Sequence, residues 1–263
     1  MQGGLYLARM KLFHRVSGQG TPLIVLHGLF GSSDNWFTHA KTLAQHYEVW
    51  LVDQRNHGQS FHHPQFDYRY LTEDLEAFVR EHRIERPFLL GHSMGGKTAM
   101  NFALKNPAQV RGLVVVDIMP KPYPVHHDHI LEGLQTVDLA ALQSRTEADQ
   151  QLAKFIPEAD VRQFLLKNLA RDAEGKFIWR INLAAIDANI EAIGAGVLYH
   201  GTYTGPTLFI NGTRSNYYRP GDELLANRLF PAATWASLDT GHWVQAERPQ
   251  EFADEVLRFL AKH

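Results

Sequence analysis

A serine between two glycines is the residue of this chain best placed to do chemistry. Ser93 is the centre of GHSMG at residues 91–95, which has the form G-x-S-x-G. An apolar run precedes the motif, and a helix-like segment follows it. A strand that turns sharply into a helix presents the serine hydroxyl at the apex of the turn, near the positive end of the helix. The pattern therefore predicts a nucleophilic serine at a strand–helix turn.

A serine hydroxyl is a poor nucleophile at neutral pH. Attack by Ser93 requires a histidine base, an acid that orients the histidine, and donors that hold an oxyanion. The five residues of the motif also fit an ordinary glycine-rich turn that carries a solvated serine. The apolar run before the motif and the helix after it favour the catalytic interpretation.

Three further groups lie at the ends of predicted strands. One buried strand ends in HGLFG at residues 27–31, where the backbone N–H of Leu29 can face an oxyanion, although a plain strand-to-loop turn also fits. Asp117 lies close to the carboxyl end of another strand. His242 is the best base among fifteen histidines, because it lies in a Gly-His loop between the last strand and the last helix. Parallel sheets bind ligands at the carboxyl ends of their strands, so these groups are predicted to meet near Ser93.

The acid that would orient His242 has several candidates. Asp117 lies at a strand end, but it could instead be a structural residue that binds the backbone after its strand. Asp222 is expected at the start of a helix, where it would stabilise the helix dipole. Asp239 lies three residues before His242 and fits a local turn hydrogen bond. The loop after Gly212 contains no carboxylate before Asp222.

Strands and helices alternate along the chain around these residues. Continuous apolar runs predict strands buried in a parallel sheet, and the first strand is expected to pair antiparallel at an edge. One helix is expected to carry its apolar residues on one face and Thr72 as its cap. The polar loop 53–60 is expected to form a hydrogen-bonded structural turn, which leaves Asp53 and His57 outside the reacting groups. The predicted strands are 11–16, 22–26, 47–52, 87–91, 112–118, 206–212 and 234–238, and the predicted helices are 36–45, 71–79, 94–106, one from about 220 and one from 249.

The alternation of strands and helices stops at Met119 and resumes near residue 205. Helical patterns without a strong strand fill this stretch, and the last of them runs from Ile178 to Ile193. A helical insertion of this length at the strand ends is predicted to form a cap over them. The predicted division is therefore core 1–118, cap 119–204 and core 205–263, in an α/β fold whose mostly parallel central sheet is flanked by helices.

The composition is that of a globular protein with a sizeable core. Of the 263 residues, 44% are hydrophobic and 21% are charged. The 26 Lys and Arg against 28 Asp and Glu leave no basic footprint for nucleic acid or an anionic membrane. The absence of cysteine removes disulfides, thiolate metal sites and a cysteine nucleophile. His62 and His63 lack the carboxylate spacing of a metal site, so neither a metal nor an organic cofactor is expected.

No targeting or membrane segment is evident in the sequence. No apolar run approaches the roughly 18 residues of a membrane-spanning helix. Residues 1–9 lack the apolar centre of a signal peptide, and Met10 looks like a natural second start. We therefore expect residues 1–9 to be a vector-derived leader or a disordered end, and the protein to be cytoplasmic. The oligomeric state is left open.

The chain resembles the α/β-hydrolase superfamily over nearly its whole length. Within that superfamily it is similar to the YbfF-type bacterial esterases, which are relatives of eukaryotic abhydrolase-domain-containing protein 11. The stretches that carry the resemblance are HGLFGS (27–32), DNW (34–36), DQRNHG (53–58), GHSMGGK (91–97) and VDI (116–118).

This resemblance implies an α/β-hydrolase fold and the hydrolysis of short-chain esters, with acyl-CoA thioesters as further substrates and no cofactor. It also implies that Asp117 is the acid. Most members of the superfamily carry an aspartate in the loop after the strand 207–212. In that loop this chain has Ser215 and Asn216, neither of which can supply a negative charge.

The predicted function is that of a serine esterase or thioesterase acting on a small molecule. Ser93 attacks the acyl carbon, His242 transfers the proton, Asp117 orients His242, and the N–H groups of Leu29 and Met94 hold the oxyanion. Short to medium acyl esters are expected to react best, because the sequence shows no extended apolar surface for a lipid interface. Dehalogenase and epoxide-hydrolase chemistry is disfavoured, because those relatives carry Asp at the position of Ser93. Carbon–carbon bond hydrolysis, perhydrolysis and a ligand-binding receptor with a vestigial site stay open as alternatives.

Overall fold

The computed structural model describes residues 10–124 and 127–263. The expectation for residues 1–9 falls outside the described residues. The described strands are β1 His14–Ser17, β2 Pro22–Leu26, β3 Glu48–Val52, β4 Phe88–His92, β5 Gly112–Val116, β6 Leu169–Arg171, β7 Phe177–Trp179, β8 Thr207–Gly212 and β9 Ala233–Leu238.

Seven of these strands form one sheet in the order β1-β3-β2-β4-β5-β8-β9. Strand β1 is antiparallel to β3 at the edge, as predicted, and the other neighbouring strands are parallel. In the register, Gly91 lies beside both Leu26 and Val115, and Val116 lies beside Ile210. The carboxyl ends of β2, β4, β5 and β8 are therefore level, so the residues that follow these strands meet at one edge. This sheet confirms the predicted α/β fold class.

Helices cover both faces of the sheet. Side chains alternate between the two faces of a strand, so Ile24 packs into one hydrophobic core while Leu23 and Val25 pack into the other. The described helices are α1 Phe37–Leu43, α2 Tyr68–Glu81, α3 Met94–Lys105, α4 Asp128–Thr136, α5 Arg145–Leu152, α6 Ala159–Leu166, α7 Leu183–Ala188, α8 Ile190–Gly194, α9 Asp222–Leu229, α10 Val244–Glu247 and α11 Pro249–Leu260. Among the described helices, none is long and apolar enough to cross a membrane.

Helix α2 begins earlier than its apolar pattern indicated. Its N-cap is Asp67, whose side chain accepts a hydrogen bond from the Tyr70 N–H at 3.0 Å. Thr72 lies inside the helix and is buried, with its hydroxyl donating to the Tyr68 carbonyl at 2.6 Å. The prediction that Thr72 caps the helix is therefore wrong, because the aromatic first turn continues the buried face toward the N-terminus.

The chain between β5 and β8 forms helices α4 to α8 and a two-stranded antiparallel hairpin of β6 and β7. The prediction that this stretch contains no strong strand is wrong at Phe177–Trp179, which forms a strand paired with Leu169–Arg171. This strand overlaps the start of the helical pattern expected from Ile178 to Ile193. Three-residue strands are too short to produce a periodic pattern. Apolar side chains of these elements share one core cluster with Phe30 and Met94, which stand at the strand ends. The predicted limits of the cap, 119 and 204, stay a prediction.

Candidate active site

Ser93 occupies a strained turn between β4 and α3. Its φ of 52° and ψ of −117° are unusual for a residue with a side chain. A Cβ on Gly91 would lie 2.3 Å from the Gly95 carbonyl oxygen, and a Cβ on Gly95 would lie 2.4 Å from the Leu26 carbonyl oxygen. The turn is fixed by a hydrogen bond from the Ser93 N–H to the Val116 carbonyl at 3.0 Å. The glycines of the motif are therefore required by close backbone approach, as the sequence indicated.

Asp117 and His242 are in direct contact. His242 Nδ1 lies 2.7 Å from Asp117 Oδ2, although 125 positions separate the two residues in the chain. The Asp117 carboxylate is fully buried and accepts two more hydrogen bonds, from the Gly212 N–H at 2.9 Å and from Ser215 Oγ at 2.5 Å. The imidazole of His242 is partly open, with 24% of its side chain exposed. A buried acid thus holds one nitrogen of a histidine whose other side faces a cavity.

The other two candidate acids have different partners. Asp222 lies in the first turn of α9 and forms an ion pair with Lys121 at 2.6 Å. Asp239 is exposed and forms an ion pair with Arg214 at 2.7 Å. Of the three aspartates weighed from the sequence, Asp117 alone has a hydrogen bond to His242.

Two aromatic rings hold His242 in place. The Tyr217 ring is stacked on the His242 ring with centroids 4.1 Å apart. The His92 ring lies 4.6 Å away, and its Nε2–H donates to the His242 carbonyl at 2.9 Å. Burial lowers the pKa of His92 well below its usual value, so this ring is neutral and acts as a donor to the backbone. Neither His92 nor Tyr217 could be singled out from the sequence, because each contacts His242 only in the folded structure.

Ser93 and His242 line the same cavity. No hydrogen bond joins their side chains in the described structure. Catalytic hydrogen bonds are commonly long in ligand-free enzymes and tighten when substrate binds. The relative placement of the two side chains is therefore compatible with proton transfer in a complex.

Two backbone N–H groups are available beside Ser93. Leu29 and Met94 both line the cavity, and neither of their N–H groups donates to another of the described residues. A Cβ on Gly28 would lie 3.3 Å from the Ser93 Cβ, so the loop that carries Leu29 passes directly beside the serine. In contrast, the Phe30 N–H is taken up by His57 Nε2 at 3.2 Å.

The polar loop after β3 supports the neighbouring loop 27–31, as expected of a structural turn. His57 accepts from the Phe30 N–H and donates through Nδ1 to the Arg55 carbonyl at 2.9 Å. Burial, together with the nearby His27, lowers the pKa of His57 to about 3, so the ring stays a neutral acceptor. The Asp53 carboxylate accepts from backbone N–H groups at 2.6 and 2.9 Å.

The cavity above Ser93 has a volume of about 110 Å³. Most of its lining is apolar, and the described part of the insertion forms much of its wall. Residues of the sheet edge that line it include Leu29, Phe30, Ser93, Met94, Ile118 and His242, and residues of the insertion include Tyr123, Ile130, Val161, Phe164, Leu165, Ile190 and Ile193.

A buried lysine also reaches this cavity. Lys97 is one turn after Ser93 on α3, and its Nζ donates to the carbonyls of Gly194, at 3.2 Å, and Ala195. Its ammonium lies 4.9 Å from the centre of the Tyr123 ring, and burial lowers its pKa to about 7. Nothing in the sequence indicates that Lys97 is buried, since a lysine on a helix is usually solvated.

Comparisons with known proteins agree with this fold. The family model described as alpha/beta hydrolase fold matches residues 21–249, so the chain belongs to the α/β-hydrolase family. The sequence motifs indicated a similarity to the YbfF-type esterases and to ABHD11. The matches to proteins of both names confirm this similarity.

Two relatives and one solved structure match this chain over most of their own length. The sn-1-specific diacylglycerol lipase ABHD11 of Danio rerio is 41% identical over 253 residues, which cover 92% of this chain and 79% of the relative. The esterase YbfF of Escherichia coli is 34% identical over 247 residues, covering 91% and 93%. A solved structure described as a marine microorganism esterase has a TM-score of 0.93 and 37% identity, and the match covers 95% of this chain and 99% of that one.

Proposed function

We propose that this protein, a carboxylic ester hydrolase, cleaves esters of short to medium acyl chains through an acyl-enzyme on Ser93. The observation that carries the proposal is the hydrogen bond between His242 Nδ1 and buried Asp117, formed beside the strained turn of Ser93. Three chain segments that are far apart in sequence supply a nucleophile, a base and an acid at one cavity. This arrangement supports a serine hydrolase mechanism, which is recognised by the roles of its groups.

Acylation begins when Ser93 Oγ attacks the acyl carbon and His242 Nε2 takes the hydroxyl proton. The carbonyl oxygen becomes an oxyanion, which the N–H groups of Leu29 and Met94 stabilise. The tetrahedral intermediate collapses, the bond to the leaving oxygen breaks, and His242 returns the proton to that oxygen. Water then repeats the sequence on the acyl-enzyme and releases the acid.

Asp117 stays ionised and keeps the proton of His242 on Nδ1, so Nε2 is free to act as the base. Hydrogen bonds from Gly212 and Ser215 fix the carboxylate in position. Ser215 belongs to the loop where most members of the superfamily carry their acid. Here that loop contributes a donor to the acid on the neighbouring strand.

The insertion, which we take as residues 119–204, serves as a cap that selects the acyl group. Its apolar side chains form much of the wall of a cavity of only about 110 Å³, which favours small acyl groups. Acyl-CoA thioesters can follow the same steps with a thiolate as the leaving group. The cytoplasmic location stays a prediction.

The first experiment tests acylation of Ser93. A fluorophosphonate probe should label the wild-type protein, and p-nitrophenyl esters of graded chain length should be hydrolysed fastest at short to medium length. Ser93→Ala should abolish labelling and lower kcat by on the order of 10⁶. Mass spectrometry locates the adduct. A trapped enzyme without an adduct on the peptide that contains Ser93 would refute the mechanism, and an unreactive wild type would favour a ligand-binding receptor.

A further inference from the structure

The loop that carries Leu29 contains a turn in a strained conformation. The Gly31 N–H donates to the Gly28 carbonyl at 3.0 Å, so Leu29 and Phe30 are the two central residues of a four-residue turn. Phe30 has a φ of 59°, in the left-handed region that a bulky side chain rarely adopts. Such a conformation persists only where neighbouring groups hold it. Because Leu29 shares this turn, the direction of its N–H depends on what holds Phe30.

Both polar backbone groups of Phe30 are bound by buried side chains. The Phe30 N–H donates to His57 Nε2 at 3.2 Å, in the polar loop after β3. The Phe30 carbonyl accepts a hydrogen bond at 2.7 Å from Nδ2 of Asn168, which lies between α6 and β6 and is 138 positions away in the chain. Asn168 is only 3% exposed. The core thus holds this turn at one backbone group of Phe30, and the insertion holds it at the other.

The side chain of Asn168 is fixed for donation to Phe30. Its Nδ2 also donates to the Leu165 carbonyl at 3.1 Å, and both of these partners are backbone oxygens, which can only accept. One orientation of the amide therefore satisfies both contacts. The backbone is held as well, because the Asn168 N–H donates to the Leu165 carbonyl at 3.0 Å and its carbonyl accepts from the Arg180 N–H at 2.9 Å. Asn168 therefore presents a rigidly placed donor to the turn.

The burial of Phe30 makes this hydrogen bond difficult to replace. Phe30 is 3% exposed, and it belongs to the core cluster that contains Met94 and apolar residues of the insertion. A buried carbonyl that loses its donor is costly, so the turn would relax until the oxygen found a new partner. A relaxation of Phe30 toward negative φ would turn the neighbouring peptide groups. The Leu29 N–H would then no longer be directed at an oxyanion on the substrate.

We propose that Asn168 is a positioning residue for the oxyanion hole, because its hold on Phe30 directs the Leu29 N–H at the developing oxyanion. This inference rests on the proposed function, in which the N–H groups of Leu29 and Met94 stabilise that oxyanion. Asn168 does not line the cavity above Ser93. It therefore acts on the rate of the chemical step and not on the choice of acyl group. The insertion completes the catalytic groups of the core as well as covering them.

The first experiment replaces Asn168 with leucine, which has a similar shape and no donor. A misdirected N–H weakens binding of the transition state and not of the ester, so kcat should fall about 10- to 100-fold with KM unchanged. The loss should be the same for p-nitrophenyl acetate, butyrate and hexanoate. A displaced cavity wall would instead change the relative rates of these three esters.

Asn189→Leu is the matched control. Asn189 also lies between β5 and β8, and its Nδ2 donates to a core carbonyl, that of Pro64, at 2.9 Å. The same Nδ2 donates to a carbonyl of its own segment, that of Ala185, at 2.8 Å. These contacts repeat those of Asn168 away from the turn of Leu29. Asn189→Leu should therefore leave kcat unchanged.

A trifluoromethyl ketone tests the oxyanion hole directly. Ser93 Oγ bonds to the carbonyl carbon of this inhibitor, the π electron pair moves to the oxygen, and the serine proton passes to His242. The adduct carries an oxyanion and so resembles the transition state. In Asn168→Leu the inhibition constant should rise by the same factor by which kcat/KM falls. A residue that only stabilised the fold would not change this constant in folded molecules.

Both measurements are made per active site titrated with a fluorophosphonate, so unfolded molecules do not count. Asn168→Ala, which places no apolar group against the Phe30 carbonyl, takes the place of Asn168→Leu if that variant does not fold. An unchanged kcat or inhibition constant, an equal loss in Asn189→Leu, or a loss that varies with acyl length would overturn the proposal. A wild type that neither hydrolyses p-nitrophenyl butyrate nor reacts with fluorophosphonate would instead refute the proposed function.

Discussion

At the scale of single residues, the carboxylate of Asp117 is fixed by donors from the end of β8, from the loop after it and from His242. Asp117→Asn keeps the shape of the side chain but replaces an acceptor with an amide, which favours the wrong tautomer of His242. We expect the variant to fold like wild type and to lose about 10⁴ in kcat, measured with a p-nitrophenyl ester.

Two matched substitutions serve as controls for Asp117→Asn. Asp239 pairs with Arg214 on the surface, and Asn216 is exposed in the loop after β8. Asp239→Asn and Asn216→Ala should therefore cost far less activity. A loss at either position equal to that at Asp117 would show that the acid has been assigned wrongly.

Lys97 gives the protein a specific dependence of stability on pH. Burial lowers its pKa from 10.5 to about 7 in the folded state. Between these two values the unfolded chain holds more protons than the folded one, so the free energy of unfolding rises with pH in this window. Below pH 7 both states are protonated, and the full cost of burying the ammonium is present.

Lys97→Met removes this linkage. The free energy of unfolding of wild type minus that of the variant should increase by about 2 kcal/mol between pH 7 and pH 9. Urea denaturation of both proteins at several pH values measures the difference. A difference that stays constant over this range would mean that Lys97 titrates near its usual pKa.

The residues that sequence could predict are those whose role follows from their neighbours in the chain. Ser93 lies in a motif whose strand, turn and helix are contiguous, Asp117 lies near the end of a predicted strand, and His242 follows another. Ser215 could not be predicted, because its importance depends on a hydrogen bond to Asp117, 98 positions away in the chain. Periodicity within one segment contains no information on such contacts.

At the scale of elements, the turn of Ser93 depends on how closely α3 approaches β2. A Cβ on Gly95 would lie 2.4 Å from the Leu26 carbonyl oxygen and 2.6 Å from the His27 carbonyl oxygen. Both neighbours are backbone atoms, so they cannot yield as a flexible side chain would. Gly95→Ala must therefore push the helix away from the strand and displace the serine.

We expect Gly95→Ala to lower the free energy of unfolding by about 1–3 kcal/mol, and to reduce kcat as well. Thermal denaturation and ester hydrolysis measure the two effects. Gly133→Ala in α4 is the control, because its nearest neighbour would be the Phe155 side chain at 3.1 Å and alanine favours a helix. If Gly95→Ala is as stable and active as Gly133→Ala, the close approach does not shape the site.

Strands and helices of the core were predictable because each buries a continuous face. The strands β2, β4, β5 and β8 contain unbroken apolar runs, which is the pattern of strands covered on both sides. The hairpin of β6 and β7 and the capping of α2 by Asp67 were not predictable in this way. A strand of three residues has no period, and a polar residue at a helix start resembles one inside it.

At the scale of the whole molecule, the chain leaves the sheet after Asp117 and returns to it before His242. The helices in between pack their own apolar core against the strand ends, and the cavity above Ser93 lies at that contact. Asp117 and His242 therefore come together only when the two parts of the core that flank the insertion join in one sheet. Under the proposed function, we expect substitutions of cavity-lining residues in the insertion to change substrate choice without altering the reacting groups.

The last prediction concerns the surface of the molecule and contrasts this chain with relatives named as lipases. Among the described residues, the exposed large apolar side chains are few and, apart from one adjacent pair, lie on different parts of the chain. Leu224 and Leu225 are that pair, and they lie on α9 and do not line the cavity above Ser93. Enzymes that act on lipid interfaces instead expose contiguous apolar surface.

We therefore expect no interfacial activation. The rate of hydrolysis of a medium-chain ester should follow a simple saturation curve below its solubility limit and should not rise when micelles form. A long-chain ester, measured across its micelle-forming concentration, is the critical substrate, with short-chain p-nitrophenyl butyrate as the control that forms no micelles. A steep rise in rate once micelles appear would contradict the prediction, and would indicate that the insertion moves to uncover an apolar surface that is buried in this structure.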